Sequence, residues 1–441
     1  MNKKIVSVLT ALLIVTMAVP VFADNHMEDK VKVTGEVKSV FQVGSYSDNV
    51  DAAADLWADG EVLDGPDMDE YPAKKAFYQE ISFNVAAMVN NNINFDLAVD
   101  TLTNNFAKTA TENGYGAIGS DETDLAMDTA TLTVSDSVST LKIGDVGGFH
   151  ADYTFIDDED REGMTLDTVA MNSDVTAFVL GDNGNGAADF YGVTATRDME
   201  AMALTAKVLH ANDYNNMNVT NLVGAVETDL TNAVSANAKL VMNNWKNNNT
   251  DNDDGDTFMS AGVTAEMNDA LTLNGKMEMA GEKFKGVADG TEGANTSLYE
   301  ASADYAMNDA NTVTGTYTLV ADDDEPEDKS TVEVAVENVV GAYTNTASIA
   351  MTSNDDFAKK SDVTLIKVGT EYAMDAATLS ANLTNKSADA GNDLTYITAG
   401  LDQDISENVN WNTTFDYVTG TNTSDVDADG MSLETALTVS F

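Results

Sequence analysis

Apolar and polar residues alternate along most of this chain with a period of two. Val31, Val33, Gly35, Val37, Ser39, Phe41 and Val43 fall on one face of a segment. Lys30, Lys32, Thr34, Glu36, Lys38 and Gln42 fall on the other, and Val40 alone breaks the pattern. Leu271, Leu273, Met277 and Met279 likewise oppose Thr272, Asn274, Lys276 and Glu278. Val332, Val334 and Val336 oppose Glu333 and Glu337, and Val409, Trp411, Phe415 and Tyr417 oppose Asn410, Asn412, Thr414 and Asp416. Side chains of a strand point alternately to two faces, whereas a helix repeats its apolar positions at three and four. The chain therefore reads as all-β from end to end.

The connections between these segments come in two kinds. Short ones carry Asn or Asp at their centre: Asn90 to Asn92, Asp136-Ser137, Asn172 to Asp174, Arg197-Asp198, Asp229 to Asn232, Asn268-Asp269, Asn308-Asp309, Asp375-Ala376 and Asp402 to Asn408. Val339-Val340-Gly341 makes a tenth. Asn, Asp and Gly accept the backbone angles of tight hairpins. Long, acidic, Gly-containing connections lie between them, as in Gly181 to Asp189, Asn247 to Asp256, Ala321 to Lys329 and Gly420 to Asp429. Ten hairpins plus one strand at each end predict an antiparallel transmembrane β-barrel of about 22 strands, with 18 to 24 as the bounds. Short turns at the periplasmic end and long external loops are the layout of such barrels.

Lys3 and Lys4 precede an uncharged apolar run from Ile5 to Val19, and Val21-Phe22-Ala23 suits a cleavage site. Residues 1–23 are thus expected to be a signal peptide cleaved after Ala23, and residues 24–441 a single exported barrel domain. The 441 residues hold 74 Asp+Glu against 22 Lys+Arg, a net charge of −52. Such a surface argues against nucleic acid as a partner. The absence of cysteine excludes disulfides, thiolate metal sites and a Cys nucleophile. An acid excess this large also suits a high-salt habitat, where counterions screen self-repulsion.

The segment Met431 to Phe441 alternates and closes on a Phe. It resembles the C-terminal signal by which Gram-negative outer-membrane proteins are recognised for assembly, which implies a role for Phe441 and a barrel-assembly machinery as partner. The alternation over the whole mature chain resembles the outer-membrane porins. Leu141-Lys142-Ile143-Gly144-Asp145-Val146-Gly147-Gly148-Phe149 is similar to the porin strand that leads to the pore-narrowing third loop, although the Pro-Glu-Phe-Gly-Gly element of that loop is absent. The resemblance implies an outer-membrane location and passive diffusion of small hydrophilic solutes, and leaves the oligomeric state open.

In this register the polar face points into the lumen. It carries Lys207, Lys239, Glu266, Lys276, Glu278, Glu300, Asp304, Glu333, Glu337, Lys367, Glu371, Asp416 and Glu434. Nine acids against four lysines predict a water-filled pore that prefers cations. The run Asp157, Asp158, Glu159, Asp160, Arg161, Glu162 is a candidate constriction loop. Asp425, Asp427 and Asp429 match the opening of a calcium loop, but Ala436 stands where the closing Glu belongs, so they are weak metal candidates. His26, His150 and His210 show neither metal spacing nor a nucleophile motif, so no enzyme and no cofactor is expected. A structural or adhesive envelope β protein is the alternative to a channel.

Overall fold

A computed structural model describes residues 31–46, 75–100, 104–107, 126–157, 159–181, 188–250, 252–287, 295–322, 328–354, 362–389, 393–421 and 426–441. The expected signal peptide at 1–23, Asp158, Asp425 and the centres of several long connections lie outside the described residues.

The strands are β1 (Val31–Tyr46), β2 (Lys75–Asn90), β3 (Ile93–Asp100), β4 (Asn104–Ala107), β5 (Ala126–Ser135), β6 (Ser139–Phe149), β7 (Glu159–Ala170) and β8 (Ser173–Gly181). They continue as β9 (Asp189–Met199), β10 (Met202–Tyr214), β11 (Met217–Thr231), β12 (Val234–Asn247), β13 (Asp253–Asn268), β14 (Leu271–Ala280), β15 (Thr296–Asn308) and β16 (Asn311–Asp322). The last are β17 (Lys329–Val340), β18 (Tyr343–Asn354), β19 (Val363–Met374), β20 (Ala377–Ala388), β21 (Asp393–Ser406), β22 (Val409–Thr421) and β23 (Asp427–Ser440). Both β3 and β4 pair with β2, so they are two pieces of one stave and the 23 segments make 22 staves. Every neighbour pairs antiparallel, and β1 pairs with β23, closing the sheet into a barrel.

Closure is completed at one point by Phe441. Its N–H donates to the Gly35 carbonyl at 2.9 Å, and the Gly35 N–H donates back to the Phe441 carbonyl at 3.0 Å. A Cβ on Gly35 would come within 2.5 Å of the Phe441 ring, so only glycine fits beneath that ring.

Register assigns the two faces. Val313, Val336 and Ala347 lie side by side across β16, β17 and β18, as do Tyr317, Val332 and Met351. These apolar residues are exposed or half-exposed, while Glu333 and Ala335 between them are less accessible. A convex outer face exposes its side chains more than a concave inner one, so the apolar face is the outside. Val40, the residue that broke the alternation, is fully buried on the inner face beside Ala436.

Nine of the ten turns fall within about two residues of their sequence positions. The exception is Arg197-Asp198, which stays in β9; the chain reverses at Glu200-Ala201. Ladder pairing of Asp198 with Ala203 continues the strand through it.

Candidate functional site

The interior holds a segment that folds back across one wall. After β6 the chain turns at residues 150–157 instead of running straight into β7. The Ala151 and Asp152 N–H groups donate to the Ile156 carbonyl, and the Phe155 and Ile156 N–H groups donate to the Asp152 carbonyl. This small loop presents Phe155 and Ile156, both fully buried, to the inner faces of β8 to β14. There they join Phe178, Leu180, Phe190, Leu209, Val241 and Phe258. Phe155 meets Phe190 edge-on at 6.0 Å.

A charged triad fixes the loop on that wall. Asp152, 2 % exposed, accepts from the Lys207 ammonium at 3.0 Å and the Lys239 ammonium at 2.9 Å. Lys207 also donates to the Ala151 carbonyl at 2.6 Å. Burial pushes the Asp152 carboxyl up, but the two ammonium groups outweigh it and hold the pKa down at about 2. Lys239 also sits over the Tyr153 ring, 3.2 Å from its centroid. The Tyr153 hydroxyl donates to Glu278 at 2.8 Å, and Glu278 is paired in turn with Lys276 at 3.1 Å. Burial, then the Glu278 carboxylate, raises the Tyr153 phenol far above its usual range.

Magnitudes separate what holds the loop from what positions it. Burying Phe155 and Ile156 contributes roughly 1.5–3 kcal/mol each. A buried ion pair adds little net stability, because desolvation offsets attraction, yet it fixes geometry. The apolar pair therefore holds the loop down, and the triad sets where it lies.

A second segment, residues 281–287 after β14, leans on the first. The Val287 N–H donates to the Thr154 carbonyl at 3.2 Å, and buried Phe284 packs against Phe258 at 5.6 Å. Asn243 clamps this segment by exchanging hydrogen bonds with the Lys285 backbone, and Trp245 donates to the Lys283 carbonyl at 2.8 Å.

All thirteen residues expected along the lumen share the inner parity. Lys207, Lys239, Lys276 and Glu278 meet at the loop-covered wall. Glu266 lies near a short turn of β13, while Glu300, Asp304, Glu333, Glu337, Lys367 and Glu371 lie on β15, β17 and β19. Asp304 accepts from Thr314 at 2.8 Å, and Asp416 accepts from the Tyr396 hydroxyl at 2.6 Å. Glu434 sits on β23 opposite Gln42 and Thr414.

Two expectations need correction. Glu159, Asp160, Arg161 and Glu162 are not a loop; they open β7, where Glu162 pairs with Asp145 and Gly181. Arg161 pairs there with Glu159 and stacks over Phe190. Among the described residues of the run, only Asp157 belongs to the inward segment, with its carboxylate 2.6 Å from His150 Nδ1. The inward bend begins earlier because aromatic and aliphatic residues, not acids, gain by leaving water. The signal was present as Tyr153, Phe155 and Ile156, just before the acidic run. Asp427 and Asp429 are the other correction. They lie in β23 and not in the sharp turn a calcium loop requires, and Asp427 accepts from Thr421 at 2.8 Å.

No protein-family model matches the chain, and no curated protein matches it by sequence. Among solved structures, the siderophore receptor PirA from Acinetobacter baumannii is similar at 8% identity and a TM-score of 0.59, covering 93% of this chain and 80% of that one. This likeness shows the closed-barrel fold alone. Pseudomonas aeruginosa OccK3 (OpdO) is similar at 11% identity, with 94% and 96% of the two chains covered and a TM-score of 0.41. Pseudomonas aeruginosa OprD gives 10%, 94% and 96%, and the same TM-score.

Proposed function

We propose that the protein is an outer-membrane porin: a water-filled channel for passive diffusion of small hydrophilic solutes, with a preference for cations. The observation that carries this reading is the inverted polarity of a closed barrel. Its outer face is apolar and exposed, whereas its inner face bears ionised and hydroxyl groups. That arrangement suits lipid outside and water inside. The loop at 150–157 narrows the lumen from one wall. Lysines on that wall are matched by Asp152 and Glu278, whereas Glu333 and Glu337 on nearby β17 form no ion pair among the described residues. Unmatched acids raise the local cation concentration. In this reading the signal peptide at 1–23 directs export, Phe441 contributes to recognition by the barrel-assembly machinery, and the chain passes solutes without chemistry.

The test is single-channel recording in planar bilayers under a potassium chloride gradient. Discrete conductance steps with a reversal potential displaced toward potassium are expected. Absence of steps from protein that migrates as a heat-modifiable barrel would overturn the channel. Steps with no displacement at low salt would leave an unselective pore.

A further inference from the structure

The buried apolar side chains are not shared evenly around the barrel. Seventeen of the 23 among the described residues form one cluster, and all seventeen lie between Val146 and Val287. The four largest fully buried side chains among the described residues, Phe155, Phe190, Phe258 and Phe284, belong to it. The other six buried apolar residues come from β1, β3 and β21 to β23 and include no aromatic ring. From β15 to β20 no apolar side chain among the described residues is buried.

Residues 146–287 are one contiguous run of about 140 residues, the size of an ordinary domain. The two inward segments lie near its two ends, and the Val287 N–H, donating to the Thr154 carbonyl, ties them together. The charged triad is also internal to the run, since it joins Asp152 to Lys207 and Lys239. At its leading edge the run is thinly attached to the rest of the wall. β5 and β6 are matched only over residues 131–135 and 140–144, whereas β11 and β12 match along nearly their whole length. The first of these ladders stops at Gly144, which has a φ of +116°, and a Cβ there would overlap the Ala130 carbonyl.

The inner face decides how firmly each sector is held, because lipid or detergent covers the outer face of every strand alike. The hydroxyls and carboxylates of β15 to β19 meet water whether or not that sector is folded, so burial adds little there. Under the inward segments, phenylalanine, leucine and isoleucine leave water only in the folded state, and such burial is the dominant stabilising term. Regions poor in buried apolar contacts open first, in contiguous cooperative units. A chain with two such units does not unfold in one step.

We propose that residues 146–287 are a separately cooperative unit, which stays folded after β16 to β20 have opened. The proposal rests on the closed barrel alone and holds whatever the lumen conducts. Its test is native-state hydrogen exchange at rising urea, read by peptide mass spectrometry on the full-length protein in alkyl maltoside micelles. Peptides from β16 to β20 should lose protection at lower urea than peptides from β9 to β13, giving two midpoints. One shared midpoint, or the reverse order, would overturn the unit. Phe155→Ala with Ile156→Ala should lower the β9 to β13 midpoint toward that of β16 to β20, which should itself stay in place. Phe155→Leu, a milder change, should lower it by a smaller amount. An equal fall in both sectors would make the barrel one cooperative whole, and no fall in either would remove the cluster as the source of the difference. Either result refutes the proposal.

Discussion

The two walls of the lumen hold their charge in opposite ways. On β8 to β14 Lys207 and Lys239 are desolvated beside an apolar cluster and both meet Asp152 of the inward loop, while half-exposed Lys276 meets Glu278 of its own strand. On β15 to β19 the inner face is mostly threonine, serine and carboxylate, with Lys367 among them. Thr312, Thr314, Thr316 and Thr318 line β16, and Glu333 and Glu337 face the same space from β17. Charge on the first wall is structural, because moving any member strands another in a low-dielectric setting. Charge on the second is solvated and can change without disturbing the fold. The same residue types thus serve positioning on one side and, in the proposed channel, permeation on the other.

Removing the centre of the triad should break this contrast most severely. Asp152→Ala leaves Lys207 and Lys239 buried without their carboxylate, an effect on the order of 3–5 kcal/mol. The loop should detach, seen as larger and noisier single-channel steps; steps of unchanged size and noise would mean that the apolar contacts alone define the opening. Val334→Lys comes next. It places a charge on the outer face and should reduce stability by roughly 2–4 kcal/mol near the midplane, whereas Glu333→Gln on the opposite face should not. Heat-modifiable gel migration reads both, and the reverse result would mean that the faces are exchanged.

A milder change sharpens the open wall. Glu333→Gln with Glu337→Gln should fold normally and shift the reversal potential toward anions in dilute salt. The shift should shrink near 1 M, where the screening length falls to about 3 Å. The smallest expected effect is that of acid on the loop. The Asp152 pKa is depressed, so its contribution is fully present above its unfolded value near 4 and is lost as pH falls through about 2. Loop noise should therefore stay constant from pH 7 to 4 and grow only toward pH 2. Growth already at pH 5 would point to another group.

The strands and the facing of most side chains are legible in the sequence because alternation is local. Each segment reports its own two faces, and the turns announce themselves through Asn and Asp. The loop-covered wall was not legible for the same reason. Asp152 and Lys239 are 87 residues apart, and no periodicity relates them. Phe178, Leu180, Phe190 and Leu209 break the expectation of a polar interior because a loop, not water, lies over them. The bulges beside the short turns were also hidden. A bulge shifts register by one, so Met267 and Met307 read as ordinary members of an alternating strand until the ladder shows them skipped.

The seam between β1 and β23 bears on the order of events during folding. Each neighbouring pair around a short turn forms from residues adjacent in the chain, whereas the closing pair joins Gly35 to Phe441, about 400 residues later. From a loop of a few residues to one of that length is six to seven doublings, a chain-entropy difference of about 4 kcal/mol. Ring closure by the free chain is therefore slow, and it becomes affordable only once the intervening hairpins have condensed and brought the ends together. Until then both outermost strands present bare ladders, each a template for another chain. The dangerous lifetime of this protein is the interval before Phe441 settles over Gly35, and a catalyst that holds one edge through that interval would govern yield more than any contact inside the finished barrel.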